Sequence, residues 1–213
     1  MMIELTNDLF LGKGWHKTAY IDPRDAQRCI KIVHHEHERG EDTDLAREMW
    51  YRKCRDKRHL SSTLLTKYYG TVTTNMGTGY VFERVIDYDG KRSYDLKEFL
   101  DAQSKNNDIE QAKKIVAEVL LHFQQKFLEE KIITTNMEYN NFLLQKTSAQ
   151  SFRVRIIDNI GSPVLIPLAF FIDYIALEHC QRYWKRFINN LRQDYPLLVS
   201  KEFANELLLP VKI

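Results

Sequence analysis

The hydrophobic pattern of this chain changes character near Val85, and few folds accommodate such a change. Before that point apolar residues come in short runs broken by turn residues; after it they recur at the three- and four-residue spacing of helices. Residues 3–12, 17–21, 28–34, 68–74 and 79–86 are expected to be strands. Asp22-Pro23-Arg24-Asp25 and Asn75-Met76-Gly77-Thr78 supply turns between two pairs of them. One helix interrupts the series, over 42–57, with Leu45, Met49, Trp50 and Cys54 at helical spacing. Further on, 95–103, 108–131, 168–191 and 201–208 read as helices. The second is strongly periodic, with Ile109, Val116, Leu120, Phe123 and Phe127 among the residues along one side. Residues 142–144 and 153–157 are a short strand pair. The expectation is an α+β fold: a β-rich part with one main helix over 1–84, then a mostly α-helical part over 85–213.

Composition narrows the function classes. With 44% hydrophobic, 12% aromatic and 28% charged residues, the chain has the make-up of an ordinary globular protein and not of a disordered one. Its 31 basic and 29 acidic residues give a net charge of +2, so no nucleic-acid partner is expected. Cys29, Cys54 and Cys180 form no C-x-x-C pair and read as reduced, buried thiols. The most apolar window, 164–176, contains Pro167 and Asp173 and falls short of the roughly 20 residues of a membrane span. The N-terminus lacks the pattern of a signal peptide, so a cytoplasmic protein is expected.

Several motifs carry chemistry when taken in order. Gly12 and Gly14, in Leu11-Gly12-Lys13-Gly14, would let backbone pass close to phosphates, although a hairpin turn explains them as well. Lys17 stands where a third glycine would be expected. Lys31 lies within Cys29-Ile30-Lys31-Ile32-Val33 and is either solvated or a donor to phosphate oxygens. In the second case it needs a carboxylate, and Glu48 on the following helix is better centred than Glu41 or Asp44. Asn141 and Asp158 each adjoin a short apolar run and are candidate Mg2+ ligands, magnesium preferring hard oxygen donors; as turn formers they would need no metal. His34, His35 and His37 sit among acidic residues and read as a solvated loop before a metal site.

In the order of these motifs the chain resembles the protein-kinase-like superfamily. More narrowly, it is similar to the PhoP regulatory network protein YrbL family, on Leu11-Gly12-Lys13-Gly14-Trp15-His16-Lys17, Asp25-Ala26-Gln27-Arg28-Cys29-Ile30-Lys31-Ile32-Val33, Gly77-Thr78-Gly79-Tyr80-Val81, Asp158-Asn159-Ile160-Gly161 and Trp184-Lys185-Arg186-Phe187-Ile188. The resemblance implies a bilobal kinase-like fold that binds ATP and Mg2+. Gly12 and Gly14 would cover the phosphates, Lys31 would bind them with Glu48 as its partner, and Glu83 and Val85 would meet adenine at the hinge. Asn141 and Asp158 would hold the metal.

Two departures stand out. The position five residues before Asn141, where kinases carry the Asp that orients the acceptor hydroxyl, is Asn136, and Glu138 replaces a loop lysine. An amide cannot take up a proton as a carboxylate can. No Ala-Pro-Glu anchor follows Asp158 either, which argues against a long peptide platform. The expectation is therefore weak or atypical phosphoryl or nucleotidyl transfer to an unknown acceptor. The alternatives are a pseudokinase that works as a protein-interaction module, or a regulator that contacts nucleic acid or membrane through Arg182-Tyr183-Trp184-Lys185-Arg186 and Arg192. That last run reads more simply as one face of an amphipathic helix.

Overall fold

A computed structural model describes residues 2–34, 41–162 and 168–209. Strands β1 (Phe10–Lys13), β2 (Lys17–Asp22), β3 (Asp25–Val33), β4 (Tyr68–Thr74) and β5 (Gly77–Glu83) form one antiparallel sheet in the order β1-β2-β3-β5-β4. Between β3 and β4 runs helix α1 (Glu41–Lys57). A second, smaller sheet pairs β6 (Tyr94–Asp95) with β7 (Phe142–Lys146) and β7 with β8 (Phe152–Ile156). The helices of this half are α2 (Leu96–Ser104), α3 (Ile109–Glu129), α4 (Asp173–Asp194) and α5 (Lys201–Glu206). The fold is mixed α+β, as expected.

Alternation along β3 sorts its residues between two sides of the sheet. Ile30 and Ile32 join Ile3, Leu5, Tyr20 and Val81 in one cluster; Cys29, with Phe82 and Leu45 of α1, makes another on the opposite side. Gly79 faces Ile32 across the β3–β5 pairing, and a Cβ there would lie 2.5 Å from Ile30 Cγ2, so only glycine fits. Lys31 belongs to the Cys29 side, looking toward the helical half.

The main core lies in that half. Phe123 of α3 is fully buried, with edge-on contacts to Phe142 at 5.1 Å and Trp184 at 5.3 Å. Tyr51 of α1 joins the same cluster, its hydroxyl accepting from Ile133 N at 3.0 Å. Ile156 N donates to Leu64 O at 2.7 Å, a second tie between the halves. Cys29, Cys54 and Cys180 are buried and reduced, as expected.

Element boundaries differ in several places. Residues 3–12 are not one strand: Ile3 bridges Thr74, a 3-10 turn occupies Asn7–Leu9, and β1 starts at Phe10. The helix expected from 168 is split into a 3-10 turn, Leu168–Phe170, and α4, because Ile172 is extended. The short β6 has no counterpart among the expected strands. The basic-aromatic run lies on α4 with Trp184, Phe187 and Ile188 buried and Arg182, Lys185 and Arg186 exposed, the arrangement of an amphipathic helix. Among the described residues no helix is long and apolar enough to cross a membrane.

Candidate functional site

Between the two halves lies a cleft of 550 Å³, and the spacing of β2 and β3 decides what its inner end contains. In the β2–β3 pairing Ala19 lies opposite Lys31 and Lys17 opposite Val33. Residues directly opposite share a face, as do residues two apart on one strand. Lys17 and Lys31 are therefore diagonal neighbours on the cleft side, and each is only 9% exposed.

The carboxylate they face is Asp158. Lys17 Nζ donates to Asp158 Oδ1 at 2.6 Å, while Lys31 Nζ donates to the carbonyl of Ile157, one residue before, and rests 4.7 Å over the Phe82 ring. Burial works to raise the Asp158 pKa, but the charges of Lys31 and Lys17 outweigh it and hold the carboxyl below its ordinary value. Two ammonium groups against one carboxylate leave this end of the cleft with an excess of positive charge, which suits an anion.

The segment carrying Asp158 is rigidly shaped. Asp158 Oδ1 accepts from Asn159 N at 3.0 Å, and Asn159 itself has a positive φ of 60°. Gly161 sits at φ +102°, and a Cβ there would lie 2.8 Å from Arg47 Cγ of α1, so the Asp-Asn-Ile-Gly sequence ends in a glycine for both reasons. Thr135 N donates to Asn159 O at 2.8 Å and Gly161 N to Ile133 O at 2.9 Å. That strip is backed by His179, whose Nε2 lies 2.9 Å from Thr134 O.

Asn141 ends the 3-10 turn Tyr139–Asn141, and its carbonyl accepts from Ile157 N at 3.0 Å. Asn141 and Asp158 both line the cleft, and the Asn141 amide makes no hydrogen bond among the described residues. The site thus offers two protein oxygen donors. No group of three His, Cys, Asp or Glu side chains that could hold a metal ion lies among the described residues.

Gly12 and Gly14 line the opposite wall. Gly12 pairs with Ala19, so a side chain there would point to the cleft, and a Cβ would meet nothing within 4 Å. The glycine is not demanded by packing inside the protein, and it leaves space for a ligand. At the far end are Glu83 and Val85. The Glu83 N–H goes to Lys67 O at 2.8 Å, and its carboxylate is held by Arg155 and by Lys67 N. The N–H of Val85 makes no hydrogen bond among the described residues, and the next residue, Ile86, bridges Arg92.

Two expected members stand apart. Glu48, 1% exposed, receives Arg52 Nε at 2.9 Å and not Lys31. Arg52 lies one helical turn on, pairs with Glu48 Oε1, and reaches Thr66 O with Nη1 at 2.7 Å, so it outcompetes a lysine from the sheet. Asn136 is exposed and donates to Glu138 Oε1 at 2.6 Å; Glu138, not Asn136, lines the cleft. Asp44 lines the cleft while held by Arg47 at 2.6 Å. Of the histidine cluster, His34 lies 2.6 Å from the Thr18 hydroxyl, whereas His35 and His37 are outside the described residues. The residue that sequence reading misses is Lys17, and the missing signal is register: with 19 opposite 31, two lysines share one face.

Comparison with known proteins shows the family. The family model described as PhoP regulatory network protein YrbL matches residues 3–192. The chain belongs to the YrbL family. It is 36% identical over 187 residues to the uncharacterized protein YrbL of Escherichia coli (strain K12), an alignment covering 88% of this chain and 87% of that protein. The protein of the same name from Shigella flexneri matches with the same identity and coverage. All the residues that line the cleft fall within the span matched to the YrbL family.

Proposed function

We propose that this member of the YrbL family is a kinase-like protein that binds ATP with Mg2+ in the cleft between its sheet and its helical half, in the manner of a bilobal kinase. The observation that carries the reading is convergence: Gly12, Gly14, Lys17, Lys31, Asn141 and Asp158, drawn from both halves, line one pocket. Lys31 and Lys17 would hold phosphate oxygens, and Gly12 leaves room for them beneath β1. Val85 would offer its backbone to adenine, with Glu83 fixed behind it. Asn141 and Asp158 would hold the metal, which when bound neutralises charge on the phosphates.

Transfer to an acceptor, phosphoryl or nucleotidyl, would be weak or atypical. Asn136 cannot act as a base, and its amide is turned to Glu138. The same observation favours the second reading, a pseudokinase that binds nucleotide and acts through protein contacts in bacterial signalling. Both readings place the protein in the cytoplasm with a regulatory task, in keeping with the name of the family.

Thermal melting tests nucleotide binding. ATP and Mg2+ together are expected to raise the Tm by about 5–10 °C at a hundredfold excess over Kd, and each alone by less. No shift with the pair would contradict the reading. Formation of ADP or of labelled acceptor then separates transfer from binding alone.

A further inference from the structure

Lys17 occupies an oxygen that a metal would want, and this points to a role beyond simple phosphate attraction. Its ammonium sits on Asp158 Oδ1 at 2.6 Å and has no other hydrogen-bond partner among the described residues. A divalent cation on either oxygen of that carboxylate would face the ammonium at close range in a partly buried site, where repulsion between cations is stronger than in bulk water. Both cannot keep their places. Lys17 is nevertheless only 9% exposed, so once displaced its charge needs another anion nearby.

The surroundings show where it would go. The Lys17 backbone is fixed: its carbonyl accepts from Gly14 N at 2.8 Å, closing the glycine turn, and it is the first residue of β2. Only the four-carbon stem has to pivot, and it pivots beneath the turn that carries Gly12 and Gly14. Lys31 differs, being held by the Ile157 carbonyl and the Phe82 ring, both of which it can keep with a cation on Asp158.

We propose that Lys17 guards the metal-binding carboxylate of Asp158 and exchanges it for phosphate, so that metal and nucleotide enter together. Metal alone must expel an ammonium toward carboxylates that are already engaged, Asp44 by Arg47 and Glu138 by Asn136. Metal with nucleotide expels it onto a phosphate oxygen. Coupling of this kind makes each ligand favour the other. The guard itself follows from the Lys17–Asp158 geometry; the exchange rests on the proposal that the cleft binds nucleotide.

Opposite responses in one variant test it. Mn2+ alone, followed by the electron spin resonance of the unbound ion, is expected to bind Lys17→Met about tenfold more tightly than wild type. A non-hydrolysable ATP analogue at saturating Mg2+ is expected to bind the same variant about tenfold more weakly. A merely structural lysine would weaken both. Lys17→Arg keeps a cation on the carboxylate and should bind Mn2+ as wild type does; Lys17→Gln carries the expectations of Lys17→Met if that variant does not fold. Unchanged or weaker Mn2+ binding in the neutral variants overturns the guard. Tighter Mn2+ binding in a protein whose wild type takes no nucleotide overturns the exchange and the nucleotide reading, and leaves the guard standing.

Discussion

Asp158→Ala is expected to abolish the metal dependence of nucleotide binding while leaving measurable affinity for ATP without metal. The Asp158 carboxylate is the one that Lys17 contacts among the described residues, and Asn141 alone is a poor ligand for a divalent cation. Loss of Asp158 also removes a negative charge that repels phosphates. The ratio of Mg·ATP to ATP affinity should therefore fall from about a hundredfold toward one, as expected when a charge-assisted contact to a metal is lost. The fold should survive with a moderate penalty. Two ammonium groups would lose their shared counter-charge, which for a fully buried pair costs about 3–5 kcal/mol. The Asp158 side chain is 33% exposed, so about 1–3 kcal/mol is the better figure. Isothermal titration with and without Mg2+ measures the ratio. Metal dependence retained in Asp158→Ala would remove Asp158 from the site.

Phe123→Ala should be the most destabilising of the single core changes. The ring is fully buried on α3 and meets Phe127, Phe142, Trp184 and Phe187 edge-on, with centroids between 5.1 and 6.0 Å. Truncation removes its transfer energy and leaves a cavity that four stiff aromatic neighbours cannot collapse into, at a cost of about 3–5 kcal/mol. That corresponds to a fall in Tm of about 10 °C for a chain of this size. Phe142 follows Asn141 directly and begins β7, so the same cavity lies under the proposed metal ligand. Nucleotide affinity should fall along with stability. A denaturant midpoint close to that of wild type would place the principal core elsewhere.

How much of the fold is legible depends on which force decides each feature. β4 matches its expected span because a run of Tyr, Val and Thr bounded by turn residues admits little else. β3 begins at Asp25, earlier than expected, because only Pro23 and Arg24 are needed between it and β2. The break before α4 is hidden because Phe170, though outside the helix, is buried against Tyr51 at 4.7 Å and so continues the apolar period. β6 is two residues long and has no period of its own. The start of α2, directly after it, is marked by the capping box of Asp95 and Glu98, a purely local signal.

The site divides in the same way. Gly12, Gly14, Lys31, Asn141 and Asp158 can be picked out from local motifs, whereas Glu83 and Val85 follow only from the family resemblance, and all of them line the cleft. Choice of partner is not legible. Whether Glu48 turns to Lys31 or to Arg52 depends on a side-chain rotamer, and the i,i+4 guanidinium prevails. That Lys17, and not Lys31, contacts the Asp158 carboxylate depends on strand register, which no single strand encodes.

Where the nucleotide and its metal sit is the claim on which the rest depends. Paramagnetic broadening by Mn2+ with a non-hydrolysable ATP analogue, read on the amide signals of isotopically labelled protein, tests it most directly. Broadening strongest at Gly12, Gly14, Asn141 and Asn159, with α5 unaffected, is the expected result. Broadening centred on the basic face of α4, at Arg182, Lys185 and Arg186, or none at the cleft, would contradict it.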